Sequence, residues 1–260
     1  MRRLLLSLLL LAVISPLGAA NPFDQVQLQR AYAANNRDEL PIVSWMNGGR
    51  PKFVLYADGT ILAAAEAPTK GLVAMQLTSD ELQRVLGALS TQDAFWSLRS
   101  SYELTRGSDQ PLNTVTICIP GKEQKSVEVY GRFQPLAPET AKPPEAFVQF
   151  IDALSALTSG RMKPWDPGYV EILWTDYDYA PDRSLSWPGD WPGFDSSFVR
   201  STGDGLIEKI MIFPSSKLSA LDAFLAQRPE RGAILIDGRK MSAHYRWPLR
   251  GEKKWSSWKR

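Results

Sequence analysis

The segment from Thr114 to Tyr130 alternates apolar and polar residues on both sides of the turn signal Pro120-Gly121-Lys122. A period of two places successive side chains on opposite faces of a β-strand. The sequence therefore predicts a β-hairpin with one aliphatic face, which needs a helix or a second sheet packed against it. The apolar positions of the alternation are Val115, Ile117, Ile119, Val127 and Val129.

Two Asp-Gly pairs mark further chain reversals. Asp58-Gly59 and Asp237-Gly238 each stand between two short runs that are rich in apolar residues. The two central residues of a type I′ hairpin turn need positive φ, which Asp-Gly tolerates well. The sequence therefore predicts two more hairpins, and we expect a type I′ turn at Asp58-Gly59.

Three segments carry apolar residues at helical spacing. The first follows Thr78-Ser79-Asp80-Glu81, a capping-box pattern in which Thr78 caps the helix and Glu81 reaches back. The second follows Pro143-Pro144, where a missing N–H costs nothing in the first turn, and the third follows Pro214-Ser215. Their apolar stripes are Leu82, Val85, Leu86 and Leu89; Phe147, Phe150, Ile151, Leu154 and Leu157; and Leu218, Leu221, Phe224 and Leu225.

The segments Met75–Leu89 and Met211–Leu225 match in register over a strand, a cap and an amphipathic helix, and a hairpin follows each of them. Duplication and convergence on one local pattern both explain this match. We predict an α+β fold of two related lobes, each an antiparallel sheet of hairpins with a packed amphipathic helix. The lobes are expected to share a topology over Met75–Tyr130 and Met211–Trp247.

The chain is predicted to divide into six segments. They are a signal peptide at residues 1–20, a lead-in segment at 21–40, an N-terminal α+β lobe at 41–160, a linker at 161–168, a C-terminal α+β lobe at 169–250 and a basic tail at 251–260. The tail carries Trp255 and Trp258 beside its lysines, and it is interpreted as a frayed terminus or as a contact for an anionic envelope surface.

The first 20 residues have the pattern of a secretory signal. Arg2 and Arg3 precede an apolar run from Leu4 to Ile14, and small residues end at Ala20, where cleavage is expected. The apolar run is too short to span a bilayer. The sequence therefore predicts an exported protein, periplasmic or secreted, with no transmembrane segment after cleavage.

Charge and residue usage exclude several classes of function. Removal of Arg2 and Arg3 leaves as many basic as acidic residues. The chain therefore lacks the net positive charge expected of a nucleic-acid-binding protein. Cys118 and His244 are the only residues of their types, so an intrachain disulfide cannot form and a structural zinc site is disfavoured. We expect Cys118 to be buried in the hairpin; a Cys118–His244 dyad is the alternative.

Sequence signatures of hydrolases and phosphate-binding loops are missing, because no G-x-S-x-G, G-x-x-x-x-G-K or H-E-x-x-H pattern occurs. We assign no catalytic residue, metal ligand or cofactor. Carboxylates between Asp176 and Asp195 leave two alternatives open: acid–base hydrolysis of a glycan or peptide, or calcium binding at a spacing that fits no EF-hand loop.

The segment Thr175–Ser197 is long for a connection and rich in aromatic rings, Asp, Pro and Gly. We expect it to be ordered, with Trp187 and Trp191 anchored against a sheet. Its rings either fill the gap between the lobes or form a binding surface with the carboxylates. The predicted ligand-binding residues, expected to line a shallow groove between the lobes, are Tyr177, Asp178, Tyr179 and Asp190.

The order of several hairpin and loop signals resembles that of a group of uncharacterised bacterial exported proteins. The shared features are residues 56–60 (YADGT), a helix, a polar loop ending at Asp109-Gln110-Pro111, residues 127–131 (VEVYG) and residues 235–240 (LIDGRK). The resemblance implies export and implies no activity or catalytic residue.

These observations favour an exported, non-catalytic binding or accessory protein of the bacterial cell envelope. The sequence does not identify its ligand; a glycan or a peptide is the candidate class, because both suit flat rings beside carboxylates. Two alternatives remain: a hydrolase that uses carboxylates between Asp176 and Asp195, and a purely structural or interaction protein. The first two differ in geometry, because a hydrolase needs two carboxylates that converge in a cleft, whereas a binder needs exposed rings.

Overall fold

The structure is a computed structural model of the chain, and it describes residues 23–35, 40–65, 71–133, 141–158, 160–202 and 207–251. The predicted signal peptide lies outside the described residues. So do residues 252–260 of the predicted tail, with both of its tryptophans.

Within the described residues the protein is mixed α+β, with five α-helices and two β-sheets. The helices are α1 (Gln25–Asn35), α2 (Ser79–Ser90), α3 (Asp93–Trp96), α4 (Glu145–Ala156) and α5 (Leu218–Leu225). Sheet 1 consists of β1 (Pro41–Asn47), β2 (Arg50–Tyr56), β3 (Thr60–Ala64), β4 (Leu72–Gln76), β5 (Ser101–Glu103), β6 (Leu112–Ile117), β7 (Lys125–Tyr130) and β8 (Lys163–Pro164). Sheet 2 consists of β9 (Tyr169–Asp176), β10 (Asp182–Ser186), β11 (Val199–Ser201), β12 (Lys209–Pro214), β13 (Gly232–Ile236) and β14 (Arg239–Arg246).

Sheet 1 has the strand order β5-β7-β6-β1-β2-β3-β4-β8, and every pairing except β5–β7 is antiparallel. The predicted hairpin is confirmed as β6–β7, with Val115 opposite Val127. Both valines are fully buried in one core with Phe147 and Phe150 of α4. A helix therefore covers the aliphatic face, as the alternation requires.

The capping box of α2 is confirmed. Thr78 Oγ1 accepts a hydrogen bond from the Glu81 N–H at 3.3 Å, and the Glu81 carboxylate accepts one from the Thr78 N–H at 2.8 Å. Two N–H groups that lack a partner inside the helix are satisfied in this way. The start of this helix is fixed locally.

The two Asp-Gly turns differ from each other. At Asp237-Gly238 both residues have positive φ, 47° and 75°, as a type I′ turn requires. The expectation of a type I′ turn at Asp58-Gly59 is wrong, because only Gly59 has positive φ there and its N–H donates to Tyr56 O at 3.0 Å. The chain reverses one residue earlier, and Asp58 Oδ1 instead accepts the Thr60 N–H at 2.9 Å.

Sheet 2 has the strand order β10-β13-β14-β9-β12-β11, with β10 parallel to β13. One face packs against α5, through Leu221 and Phe224, and contains the fully buried Trp174. Strand β10 lies inside the aromatic-rich segment Thr175–Ser197, for which the sequence predicts order but no strand. It is an edge strand, and its pairing with β13 connects residues about 50 positions apart in the chain, which a local pattern does not reveal.

Helix α1, part of the predicted lead-in segment, packs on the other side of sheet 2. The Asn35 side-chain amide donates to Tyr169 Oη at 3.1 Å, and the rings of Tyr32 and Tyr169 are 5.8 Å apart. The first described helix therefore precedes sheet 1 in the chain but belongs structurally to sheet 2.

The two sheets are joined by a separate apolar cluster. Trp165, Trp247 and Leu249 pack against Val54, Tyr56, Leu62 and Leu72 on the outer face of sheet 1. Strand β8, within the predicted linker, pairs with β4. The segment that precedes β9 and the segment that follows β14 therefore both contact sheet 1.

The structure does not confirm that the two halves are related. In sheet 1 the first strand of the hairpin, β6, lies on the inside next to β1. In sheet 2 the second strand, β14, lies on the inside next to β9. The hairpins are inserted in opposite order, so the matching segments Met75–Leu89 and Met211–Leu225 do not lead into a shared topology.

The expectation that Cys118 is buried is wrong, because its side chain is exposed. Strand β6 ends at Ile117, although the Cys118 N–H still donates to Ile42 O at 2.7 Å. Alternation directs Cys118 away from the core that holds Ile117 and Ile119, and Cys118 lies just beyond the last residue of β6. The described cysteine is unpaired, and the structure contains no disulfide among the described residues.

Candidate functional site

A pair of tyrosines follows the end of β9. The Tyr177 N–H donates to Lys240 O at 3.0 Å and extends the pairing with β14, and the Ala180 N–H closes a turn on Tyr177 O at 3.0 Å. The rings of Tyr177 and Tyr179 meet edge to face at 5.0 Å between centroids. Tyr179 is 80% exposed, whereas Tyr177 is half-buried and supports it. This arrangement presents a flat ring to solvent on the turn that follows β9.

Charged groups lie around the tyrosine pair. Asp178 is exposed, and its N–H donates to Asp176 Oδ1 at 3.2 Å. Arg239 binds Glu208 at 2.6 Å, and this hydrogen bond raises the pKa of Arg239, with a smaller contribution from the charges of Asp176 and Asp178. The surface beside the rings therefore offers both carboxylate acceptors and a guanidinium group.

The tyrosine pair lies far from the contact between the sheets. Tyr177 follows the carboxyl end of β9, and β14 runs antiparallel to β9, so its Arg239 end lies near Tyr177. The opposite end of β14 leads to Trp247 and Leu249, which contact sheet 1. The expected position in a groove between the lobes therefore differs from the observed one at the distal end of sheet 2.

Asp190, the fourth predicted ligand-binding residue, is exposed on a turn in which the Trp191 N–H donates to Pro188 O. In the described part of the chain, no hydrogen bond, ion pair or ring contact joins it to the tyrosine pair. The structure thus brings Tyr177, Asp178 and Tyr179 together and leaves Asp190 apart.

The tryptophans of the segment fill the core of sheet 2. The Trp187 ring lies 5.0 Å from Trp174, 4.9 Å from Trp191 and 5.4 Å from Phe224, and its Nε1–H donates to Pro192 O at 3.0 Å. The expected anchoring of Trp187 and Trp191 against the sheet is confirmed. Their rings are used for packing, so the tyrosines supply the exposed aromatic surface.

Two further carboxylates, one inside the segment and one outside it, support the loops of the segment. Asp182 accepts the Arg231 N–H at 3.2 Å, and Asp237 at the β13–β14 turn accepts the Phe194 N–H at 2.6 Å. Over the described ranges, no group of three or more His, Cys, Asp or Glu residues is arranged to hold a metal ion. The calcium alternative therefore has no supporting cluster there.

The two residues of the Cys118–His244 dyad lie beside different sheets, because Cys118 directly follows β6 of sheet 1. His244 is on β14, and desolvation together with the charges of Arg246 and Arg50 lowers its pKa. Arg50 belongs to β2, so the field at His244 comes from both sheets. The structure records no hydrogen bond between Cys118 and His244, both of which it describes.

A buried carboxylate that the sequence analysis missed lies on the α1 side of sheet 2. Glu171 is 4% exposed and accepts hydrogen bonds from Arg246 Nε and Nη2 at 3.1 and 2.8 Å and from Arg200 Nη2 at 3.3 Å. Its signal in the sequence is a single acidic residue inside the apolar run of residues 169–174. Buried carboxylates need charged partners, but the sequence does not say which arginines supply them.

The chain matches no family model, no curated protein and no solved structure in the comparisons. Among the described residues, no helix combines the length and the apolar character needed to cross a bilayer.

Proposed function

We propose that this protein is an exported, non-catalytic binding or accessory protein of the bacterial cell envelope, which recognises a glycan or peptide through Tyr177, Asp178 and Tyr179. The observation that carries this proposal is the exposure of Tyr179. At 80%, it is the most exposed of the large hydrophobic side chains in the described residues.

An exposed tyrosine ring is suited to stacking on the apolar face of a sugar or on a peptide side chain, because its body is apolar and its hydroxyl is polar. Tyr177 holds the Tyr179 ring edge to face, which reduces the rotamer entropy lost on binding. Asp178 and Arg239 then provide hydrogen-bond acceptors and donors beside the rings. This combination supports a binding surface and needs no deep pocket.

The proposal is tested by measuring binding of the purified protein to peptidoglycan sacculi and to an array of bacterial glycans and peptides. We expect Tyr179→Ala to weaken binding about tenfold or more, as the loss of an aromatic anchor does. Leu235→Ala is the matched control, because Leu235 is a 39% exposed apolar residue of the same sheet. Binding that is unchanged in Tyr179→Ala, or missing for every probe, contradicts the proposal and leaves the structural or interaction role.

Export is a separate part of the proposal, supported by the charged, apolar and small-residue pattern of residues 1–20. Mass spectrometry of the protein recovered from the periplasm or medium of a bacterial host tests it. We expect a chain that begins after Ala20. A recovered chain that begins at Met1, or a chain confined to the cytoplasm, contradicts it.

A further inference from the structure

Ser242 lies at the centre of a polar patch on the face of sheet 2 that also carries α1. Alternate residues of β14 are buried in the core beside α5, so Lys240, Ser242 and His244 point to the other face, each about 7 Å from the next. In the neighbouring strand β9, Thr175 lies directly opposite Ser242. Helix α1 packs over β9 and β12, whereas His244 on β14 is exposed. The patch is therefore accessible from solvent.

A further basic side chain reaches the patch from the loop between α5 and β13. Arg228 is half-buried, and its Nη1 donates to Ser242 Oγ at 3.4 Å. This contact places a guanidinium group beside the Ser242 hydroxyl. Two cations, an imidazole and two hydroxyl groups thus surround one point of the sheet, and all of them can donate hydrogen bonds to an anion.

The two cations of the patch have no counter-charge. In the part of the chain that the structure describes, neither Arg228 nor Lys240 forms an ion pair. Other arginines of sheet 2 and its loops do contact a carboxylate, and they include Arg231, Arg239 and Arg246. A half-buried guanidinium whose side-chain partner is a neutral hydroxyl keeps its full charge. A bound anion would balance it.

The electrostatic field at His244 has the sign expected of an anion site. Desolvation and the positive charges of Arg246 and Arg50 lower the pKa of His244, and no carboxylate of the described residues raises it. On this face of β9, the carboxylate of Glu171 is buried and already bound to arginine. On the other side of β14, strand β13 contains no acidic residue. The strands that flank the patch therefore leave it positively charged.

We propose that this patch is a binding site for the phosphoryl group of a small phosphate monoester. A monoester carries nearly two negative charges at neutral pH and three terminal oxygens. Arg228 and Lys240 balance those charges, and the oxygens accept hydrogen bonds from them and from the hydroxyls of Ser242 and Thr175. Singly charged anions leave one cation unbalanced. The proposal goes beyond the tyrosine pair and does not depend on it.

NMR titration of the purified protein with methyl phosphate, dimethyl phosphate and acetate at constant ionic strength tests the ligand class. The signals of the single histidine report binding at this patch. We expect saturable binding of methyl phosphate and a rise of about 1 in the pKa of His244, because a nearby anion stabilises the imidazolium. The two singly charged ions are expected to bind at least about tenfold more weakly. Equal affinity for either of them, or no response to methyl phosphate, overturns the proposal.

A matched pair of arginine variants locates the site. Arg228→Gln is expected to weaken methyl phosphate binding about tenfold. Arg231→Gln makes the same change three positions later, in a side chain that is 68% exposed and bound to Asp182, and leaves binding unchanged. Equal effects of the two variants overturn the assignment. Melting temperatures establish folding; if Arg228→Gln does not fold, Lys240→Gln, expected to weaken binding similarly, decides the proposal.

Sedimentation with phospholipid vesicles distinguishes a soluble monoester from a lipid headgroup. The phosphate of phosphatidylglycerol is a diester with a single charge, so the proposed patch does not select it. We expect wild type and Arg228→Gln to sediment equally with phosphatidylglycerol vesicles. Vesicle binding that is lost in Arg228→Gln assigns the patch to a membrane surface and overturns the monoester proposal.

Discussion

The guanidinium of Arg250 donates to the Asp58 carboxylate at 2.9 Å, and so fastens the chain that leaves sheet 2 to the β2–β3 turn of sheet 1. Arg250 also donates to Thr60 Oγ1 at 2.8 Å, its guanidinium lies 4.9 Å from the centre of the Tyr56 ring, and its carbonyl accepts the Tyr56 hydroxyl at 3.1 Å. The Arg250 side chain is only 16% exposed. One residue thus makes several contacts across the junction between the sheets.

Arg250→Ala is expected to lower the free energy of unfolding by about 1.5–3 kcal/mol, because it removes charge-assisted hydrogen bonds and a stacked guanidinium from a mostly buried position. Urea denaturation measures the change. Arg239→Ala is the control, because the Arg239–Glu208 pair is short but far more exposed, and it is expected to cost less than about 1 kcal/mol. Equal costs for the two variants would show that the junction does not depend on Arg250.

The same junction predicts a dependence of stability on pH. Burial raises the pKa of Asp58, but hydrogen bonds from Arg250 and Thr60 outweigh this effect, so the pKa lies below its ordinary value of 3.8. A carboxyl group with a lowered pKa stabilises the folded state fully above its unfolded-state pKa, and this contribution is lost as the pH falls through the folded-state pKa.

Asp58→Asn isolates this contribution. We expect the variant to be less stable than the wild type by up to about 1 kcal/mol at neutral pH, because Asp58 is 44% exposed and solvent screens the pair. The difference should shrink as the pH falls below 3.8. Urea denaturation at a series of pH values measures it, and a difference that does not change with pH would contradict the assignment.

Glu171→Gln is expected to destabilise the fold by about 2–4 kcal/mol, because it leaves two arginines side by side without their shared counter-charge. This is less than the cost of breaking a fully buried ion pair, about 3–5 kcal/mol, since each arginine is about one-third exposed and can be hydrated in part. Glu208→Gln, in an exposed pair, is the matched control and should cost less than about 1 kcal/mol. Calorimetric melts of both variants measure the difference. A loss of stability in Glu171→Gln as small as that in Glu208→Gln would show that Arg200 and Arg246 do not depend on Glu171 as their counter-charge.

The contrast between packed and exposed rings predicts effects of very different size on the free energy of unfolding. Trp187→Ala is expected to cost about 3–5 kcal/mol, because the ring contacts Trp174, Trp191 and Phe224 in the core of sheet 2. Tyr179→Ala is expected to change stability by less than about 0.5 kcal/mol. Thermal melts compare the two. A large loss for Tyr179→Ala would show that this ring supports the fold and that its effect on ligand binding is indirect.

The pKa of His244 reports on how near Arg50 of sheet 1 lies to β14 of sheet 2. Desolvation and the charges of Arg246 and Arg50 lower its pKa below 6.5, so the protonated form is disfavoured in the folded protein. Arg50→Ala should raise this pKa towards its ordinary value, because it removes one positive charge from sheet 1. Lys52→Ala, on the same strand, is the control. An NMR titration of this single histidine measures the pKa directly. Equal pKa shifts in the Arg50→Ala and Lys52→Ala variants would show that Arg50 has no special proximity to His244.

The sequence predicted the elements whose causes are local. The β6–β7 hairpin follows from alternation around Pro120-Gly121, and the start of α2 follows from Thr78 and Glu81, which are three residues apart. The ordered character of Thr175–Ser197 also followed from composition, since its tryptophans can bury enough apolar surface to offset the loss of chain entropy. Each of these depends on neighbouring residues or on total apolar content, which are visible in a single sequence.

Tertiary structure decided everything that depends on which surfaces meet. Arg250 and Asp58 are 192 residues apart, and Arg246 and Glu171 are 75 apart. Neither separation along the chain produces a repeating pattern in the sequence, because an ion pair requires only that folding bring two opposite charges together. The same holds for α1 packing on sheet 2, for β10 pairing with β13 and for the exposure of Cys118. Alternation predicted which face of the hairpin Cys118 lies on, but not that this face is exposed to solvent there. Composition predicted an aromatic-rich segment, but not that its tryptophans pack in the core of sheet 2 while Tyr179 is exposed.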